Sequence, residues 1–165
     1  LISALFLFSA ATLIGQDRYG HLNFGNLIAQ MPEAIAATDS LEVMQATMVA
    51  QGETKAAQFQ RDATAFIKAI QEGNLTPVQQ QNQQAALEKR QLEIQQFEQV
   101  IVQAIGAKRN EMLEPIVAKA ESAISEVAKE NGYVMIFDTS VFNAVMYAQE
   151  TEDIMPLVKK KLGIE

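Results

Sequence analysis

Residues 59–97 read FQRDATAFIKAIQEGNLTPVQQQNQQAALEKRQLEIQQF, and their pattern decides the fold. Ahead of the centre, Phe59, Ala63, Phe66 and Ile70 recur at steps of four, three and four. Behind it, Leu87 and Ile94 lead on to Ile101 at steps of seven, with Phe97 and Ala104 between. Such spacings place apolar side chains along one stripe of a helix, as in a coiled-coil seam. The centre, GNLTP at 73–77, is a stop followed by a start. Gly73 and Asn74 suit a helix C-terminus, Thr76 caps the next helix, and Pro77 fits its first turn, where no N–H is needed. Two antiparallel helices folded at 73–77 follow from this.

Working outward, the first arm from Glu33 to Glu72 contains no proline and one glycine, Gly52. At 1.5 Å per residue, it and the returning arm to Glu114 would each reach roughly 55–60 Å. Counting from the turn, residue i opposes roughly residue 150 − i. Leu41, Met44 and Met48 then meet Ile101, Ile105 and Met112 near the base. Toward the turn, Phe66 and Ile70 meet Gln79, Gln80, Gln81, Gln83 and Gln84, which cannot fill an apolar hole. The pattern predicts arms firm at the root and loose at the tip.

The flanks carry β signals. YGHLNF (19–24) alternates as a strand does, and a short helical piece then meets Pro32. After Pro115 a helical pattern, with Ile116, Ala120, Ile124 and Val127 on one face, runs to a C-terminal Gly132. Tyr133–Phe137 is continuously apolar, as a doubly buried strand would be. Val145–Ala148 is a further strand candidate, antiparallel to it, and Thr151 caps a last helix over 153–162. Three strands with bare edges predict a small β-rich body whose edges are joined between chains. The fold class is therefore α+β: a body of residues 16–32 and 115–165, and a helical hairpin arm of residues 33–114.

Residues 1–15, LISALFLFSAATLIG, are apolar but too short to span a bilayer. They fit the end of a secretory signal cleaved after Ala11 or Gly15; a buried N-terminal helix is the alternative. The 165-residue chain carries a net charge of −7 and no cysteine. That excludes thiol chemistry and offers no basic stripe for nucleic acid. His21 is the sole histidine and has no acidic residue or cysteine at ligand spacing. Glu150, Glu152 and Asp153 read as an acidic helix start rather than a calcium loop. There is no phosphate-binding glycine loop and no nucleophile motif. No enzyme activity, cofactor or metal is expected.

YGHLNFGNLIAQMPE at 19–33, ENGYVMIFD at 130–138 and VMYAQETEDIMPLVKKKLG at 145–163, set around the hairpin, resemble the Skp/OmpH family of periplasmic chaperones. The Met31-Pro32-Glu33 step is similar to the Bacteroidetes-type version. The resemblance covers the chain beyond its leader and is most specific at these terminal segments. It implies a homotrimer with a β-barrel-like body and three helical arms around a cavity holding unfolded outer-membrane proteins. One departure stands out: residues 33–114 carry seven basic side chains against eleven acidic ones, whereas the best-known members are strongly basic. Charge steering of acidic clients and lipopolysaccharide binding do not carry over.

Two sets of residues become candidates. Phe59, Phe66, Ile70, Leu75 and Val78 face a glutamine-rich partner, so they either hold client segments or pack across the two helices. Leu22, Phe24, Val134, Ile136, Val145 and Tyr147 are the candidate shared core of the trimer, with a core within one chain as the alternative. The expected function is an ATP-independent holdase, exported to the periplasm, with at most peripheral membrane contact. The competing expectation is a hairpin adaptor that docks onto one folded envelope partner.

Overall fold

A computed structural model of the chain describes residues 17–164; the leader expected at residues 1–15 and its cleavage points lie outside them. In order, the elements are β1 (Arg18–Leu22), α1 (Phe24–Gln30), α2 (Pro32–Gln71), α3 (Pro77–Asn131), β2 (Tyr133–Asp138), a 3-10 turn (Glu150–Glu152) and α4 (Met155–Leu162). The fold is α+β, mostly helical, with a long helical hairpin and a small two-stranded sheet. By contacts the chain divides into two units, residues 28–121 and the terminal stretches up to 27 and from 122 to 163.

The hairpin turn forms as its residues dictate. Gly73 takes φ +71°, a left-handed conformation open to glycine without a Cβ clash. Thr76 and Gln79 then exchange bonds: the amide of Gln79 donates to Thr76 Oγ1, and the amide of Thr76 donates to Gln79 Oε1. This reciprocal box satisfies two N–H groups that a helix start otherwise leaves bare. Helix α2 has 40 residues and α3 has 55. The latter runs straight through Pro115, where the sequence pattern had placed the end of the returning arm. A mid-helix proline costs about 3 kcal/mol. The helix continues because Ile116, Ala120, Ala123 and Val127, directly beyond it, are all buried.

Within the hairpin unit, the buried residues are Met31, Ala34, Ala37 and Leu41 on one helix and Ile116 and Ala120 on the other. All lie at the root. Farther out, the seam positions Met48, Phe59, Phe66, Leu87, Ile94 and Ile101 are only half-buried. Cross-helix pairs fix the register. Glu33 pairs with Lys119, Asp62 with Arg90, and Gly52 lies against the ring of Phe97. Partner numbers sum to 149–152, close to the register read from the turn.

In the terminal unit, β1 and β2 pair in parallel, from Arg18 opposite Tyr133 to Leu22 opposite Asp138. Parallel pairing requires a long crossover, and α1, α2 and α3 supply it. Three expectations are corrected here. The first strand ends at Leu22, and Phe24 opens α1 instead of joining the sheet. Two bonds cause it, one local and one distant: Asn23 Oδ1 accepts the Asn26 amide at 2.8 Å, and Asp138 Oδ1 accepts the Phe24 amide at 3.0 Å. Secondly, Val145–Ala148 forms no strand, and no backbone hydrogen bond of residues 145–148 occurs among the described residues. A strand exists only with a partner, and the outer side of β1 is already occupied: Asp153 bridges His21, and the Ile154 amide donates to the His21 carbonyl. Among the described residues the terminal unit therefore holds a two-stranded sheet. Thirdly, Asp153 rather than Thr151 accepts the Met155 amide at the start of α4.

Leu22, Leu27, Ala123, Val127, Ile154 and Val158 fill the core of this unit. Arg18 closes its end. Its guanidinium lies 4.4 Å from the centre of the Tyr133 ring, donates to the Asn131 carbonyl and to the Tyr133 hydroxyl, and approaches Glu152 at 3.7 Å. Lys161 of α4 donates to Glu130 at 2.6 Å and pairs with Glu126 at 2.9 Å, one turn apart on α3.

Candidate client-binding surfaces

Of the five sequence candidates, Phe59, Phe66 and Leu75 are half-buried, Ile70 is 40% exposed and Val78 is 67% exposed. Phe66 lines one groove with Ala86 and Leu87 as well as Gln83, so the opposing surface is not purely glutamine. Ala65, Ala69 and Ala86 are too small to close the seam there. A groove of about 390 Å³ remains, with the Asp62–Arg90 pair at one end. Sequence spacing identified the seam, but it did not identify these alanine gaps. The signal was present as Ala65 and Ala69 on one helix and Ala86 on the other.

Exposed apolar side chains are not confined to the tip. Val43, Ile67, Leu92 and Val102 are 68, 55, 53 and 73% exposed, and they lie along both arms. Sequence reasoning missed them because they stand off the seam without forming a stripe of their own. At mid-arm, Gly52 has its Cα hydrogen facing Phe97, and a Cβ there would sit 3.6 Å from the ring, in ordinary contact. Gly52→Ala should therefore stabilise the arm by about 1 kcal/mol, the difference in helix propensity. Thermal unfolding of the two proteins would measure it, and a loss of stability would show that the glycine is structurally required.

The second candidate set lies in the terminal unit. Leu22 is buried, Phe24, Ile136 and Val145 are half-buried, and Val134 and Tyr147 are 58 and 82% exposed. The missed members are prominent. Phe142 is 91% and Met146 85% exposed, and Tyr19 and Phe137 stand in ring contact at 6.4 Å. Tyr19, Phe137 and residues 144–149 line an apolar groove of about 640 Å³. An alternating strand over 145–148 singles out Val145 and Tyr147 but not Phe142, which sits on the turn closed by the Ala144 amide bonding to the Val141 carbonyl.

Chemistry for a reaction is sparse. His21 Nε2 lies 2.9 Å from the Gln149 carbonyl, and no group of three metal-ligating side chains occurs among the described residues. No helix among them is long and apolar enough to cross a membrane. The titration shifts are structural. The Lys119 ammonium, donating to Glu33, holds that carboxyl below its usual range, and Lys161 does the same for Glu126. At Asp138 burial pushes the pKa up, but bonds from the Ser140 amide, the Phe24 amide and the Ser140 hydroxyl outweigh it and the net shift is down. A carboxyl with a lowered folded-state pKa contributes stability at high pH and loses it on acidification. Stability should thus stay level above about pH 5 and fall progressively below about pH 4. Urea midpoints across that range check this, and Asp138→Asn should flatten the acid limb.

A hairpin of two long helices, together with flanking segments that pair as a small parallel sheet, defines an α+β protein. The family model described as outer membrane protein (OmpH-like) matches residues 18–162, and the chain belongs to that family. Among solved structures, an OmpH-like protein of Caulobacter crescentus CB15, assigned as an outer membrane chaperone, has the same fold. The TM-score is 0.77 at 16% identity, over 89% of this chain and 84% of that one. Comparison with curated proteins gives no match.

Proposed function

We propose that this chain is an ATP-independent holdase of the periplasm, assembled as a homotrimer, that keeps unfolded outer-membrane proteins apart until they insert. Membership of the OmpH-like family supports the class, and a chaperone assignment also attaches to the Caulobacter protein of the same fold. The observation that carries the reading is the distribution of apolar surface on the arms. Buried contacts end near Leu41, while exposed apolar side chains continue outward at Val43, Val49, Ile67 and Ile70 on α2 and at Val78, Leu92, Val100 and Val102 on α3. Many small, separated contacts suit a partner without fixed geometry, because weak sites add through proximity and none imposes a register. An unfolded β-barrel strand, alternating apolar and polar, is such a partner.

Charge plays a smaller part here. With more acidic than basic side chains on residues 33–114, the arms would not draw acidic clients from a distance. Contact, not steering, should dominate, so the association rate should depend little on salt. The mass in solution of the exported protein, alone and with an unfolded porin, tests the whole reading. Three copies, then three copies with one client, is the expected result. Capture of a single folded envelope protein at fixed stoichiometry would instead favour the adaptor.

A further inference from the structure

We propose that the groove at Ala65, Ala69 and Ala86 is an aromatic subsite, taking a phenyl-bearing side chain of the unfolded client beside the Arg90 guanidinium. The inference rests on the client-holding reading above and gives one of its many weak contacts a defined chemistry.

The way the arm fills its own seam points to the occupant. At mid-arm Gly52 leaves room, and the Phe97 ring of the opposite helix lies against it. Lys55 holds its ammonium 5.4 Å from the centre of that ring, a cation drawn to an aromatic face. The arm thus already sets a ring in the space a small residue leaves, beside a positive charge. Toward the turn the same arrangement recurs without the ring. Ala65, Ala69 and Ala86 leave about 390 Å³, with Phe66 and Leu87 in the walls and Arg90 at the end. That is more than a phenyl group needs.

Arg90 is equipped for the part that Lys55 plays at Phe97. It pairs with Asp62, whose other oxygen accepts from Gln58 Nε2 at 2.8 Å. A guanidinium carries five N–H donors, and Asp62 is the one partner of Arg90 among the described residues. The side chain is 49% exposed, so an entering ring meets its face and an adjoining client carbonyl meets its free donors. Arg90 also lines the next groove toward the root, of about 320 Å³, where Lys55 and Glu93 offer polar groups to the backbone that follows the ring.

Charge favours the same half of the arm. Residues 54–94 carry five basic side chains (Lys55, Arg61, Lys68, Lys89 and Arg90) against four acidic ones. Residues 33–53 and 95–114 carry two against seven. Exposed charges act over about 10 Å in moderate salt, so the local balance decides where an acidic chain can lie. Such a chain meets no excess of like charge around Arg90, and meets one nearer the root.

The test uses the full chain and a dye-labelled synthetic peptide of alternating Ser and Val, with aspartates at both ends and one central Phe. Companion peptides carry Leu or Ala at the centre. By fluorescence anisotropy the parent should bind the Phe peptide about tenfold more tightly than the Ala peptide. Its margin over the Leu peptide should be about threefold. Ala65→Leu and Ala86→Leu each fill the groove from an exposed helix position, so both chains should keep their helix content and lose these preferences. Arg90→Gln should keep the preference for Phe over Ala and lose that for Phe over Leu. Equal binding of the three peptides by the parent, or none, overturns the subsite, as does a preference that survives in both filled variants. A preference for Phe over Leu that survives in R90Q overturns the role given to Arg90. Capture of unfolded porin by the parent in any of these cases leaves the holdase reading standing, whereas a parent that captures neither peptide nor porin overturns that reading itself.

Discussion

Ile154→Ala should destabilise the terminal unit by about 2–5 kcal/mol, the largest single effect we expect from this chain. Ile154 is fully buried, and its side chain reaches the backbone of Gly20 while its amide donates to the His21 carbonyl. Removing its outer carbons leaves a hole bounded by β1 on one side and the start of α4 on the other. Neither can collapse into the space freely, because the strand is paired to β2 and the helix is tied to α3 through Lys161. Ile154→Val, which deletes one methylene, should cost about 0.5–1.5 kcal/mol at the same site. Urea unfolding followed by far-ultraviolet circular dichroism would measure both. Equal and negligible losses would mean that the residue does not sit in a packed core.

The second large effect comes from adding atoms. Gly20 sits in the middle of β1 with three side chains around it. A Cβ built there would lie 2.9 Å from Ile136 Cδ1, 3.0 Å from Ile154 Cγ2 and 3.1 Å from Tyr133 Cε1. Contacts this short force neighbours off their rotamers, and Gly20→Ala should cost about 1–3 kcal/mol. Ile136 Cδ1 is the end of a flexible side chain, while Ile154 Cγ2 branches from a stiff one. Ile136→Val removes the nearest atom, so the double substitution should recover part of the loss, and the two changes should be non-additive by more than about 0.5 kcal/mol. Strict additivity would place the strain on Ile154 or Tyr133 instead.

How far the sequence was legible depends on where each signal resides. The turn at Gly73–Pro77 was readable because helix stops and starts are written in neighbouring residues. The register of the arms followed from that turn by counting. Strand β2 was readable as an apolar run, but the burial on both faces read from that run does not hold, since Val134, Met135 and Phe137 are exposed; β1 was nearly readable, and Phe24 was misplaced because one of the two bonds that turn it into α1 comes from Asp138, over a hundred residues away. Pro115 misled for a similar reason. Its local cost is plain in the sequence, whereas the burial of Ile116 and Ala120 that outweighs it is a property of packing. Val145–Ala148 has strand-forming residues without a strand, since hydrogen-bonding partners do not appear in a pattern of side chains. On the arm, spacing located Phe66, but whether its neighbours fill or leave a gap turned on the size of Ala65, Ala69 and Ala86.

The parallel pairing of β1 with β2 has a bearing on the order in which the molecule forms. Tyr133 and Arg18 are 115 positions apart, so a chain emerging from its N-terminus exposes the first strand long before its mate exists. The hairpin, by contrast, zips from a five-residue turn with no long loop to close. The arm should therefore mature early and the sheet last, once both of its strands have been made.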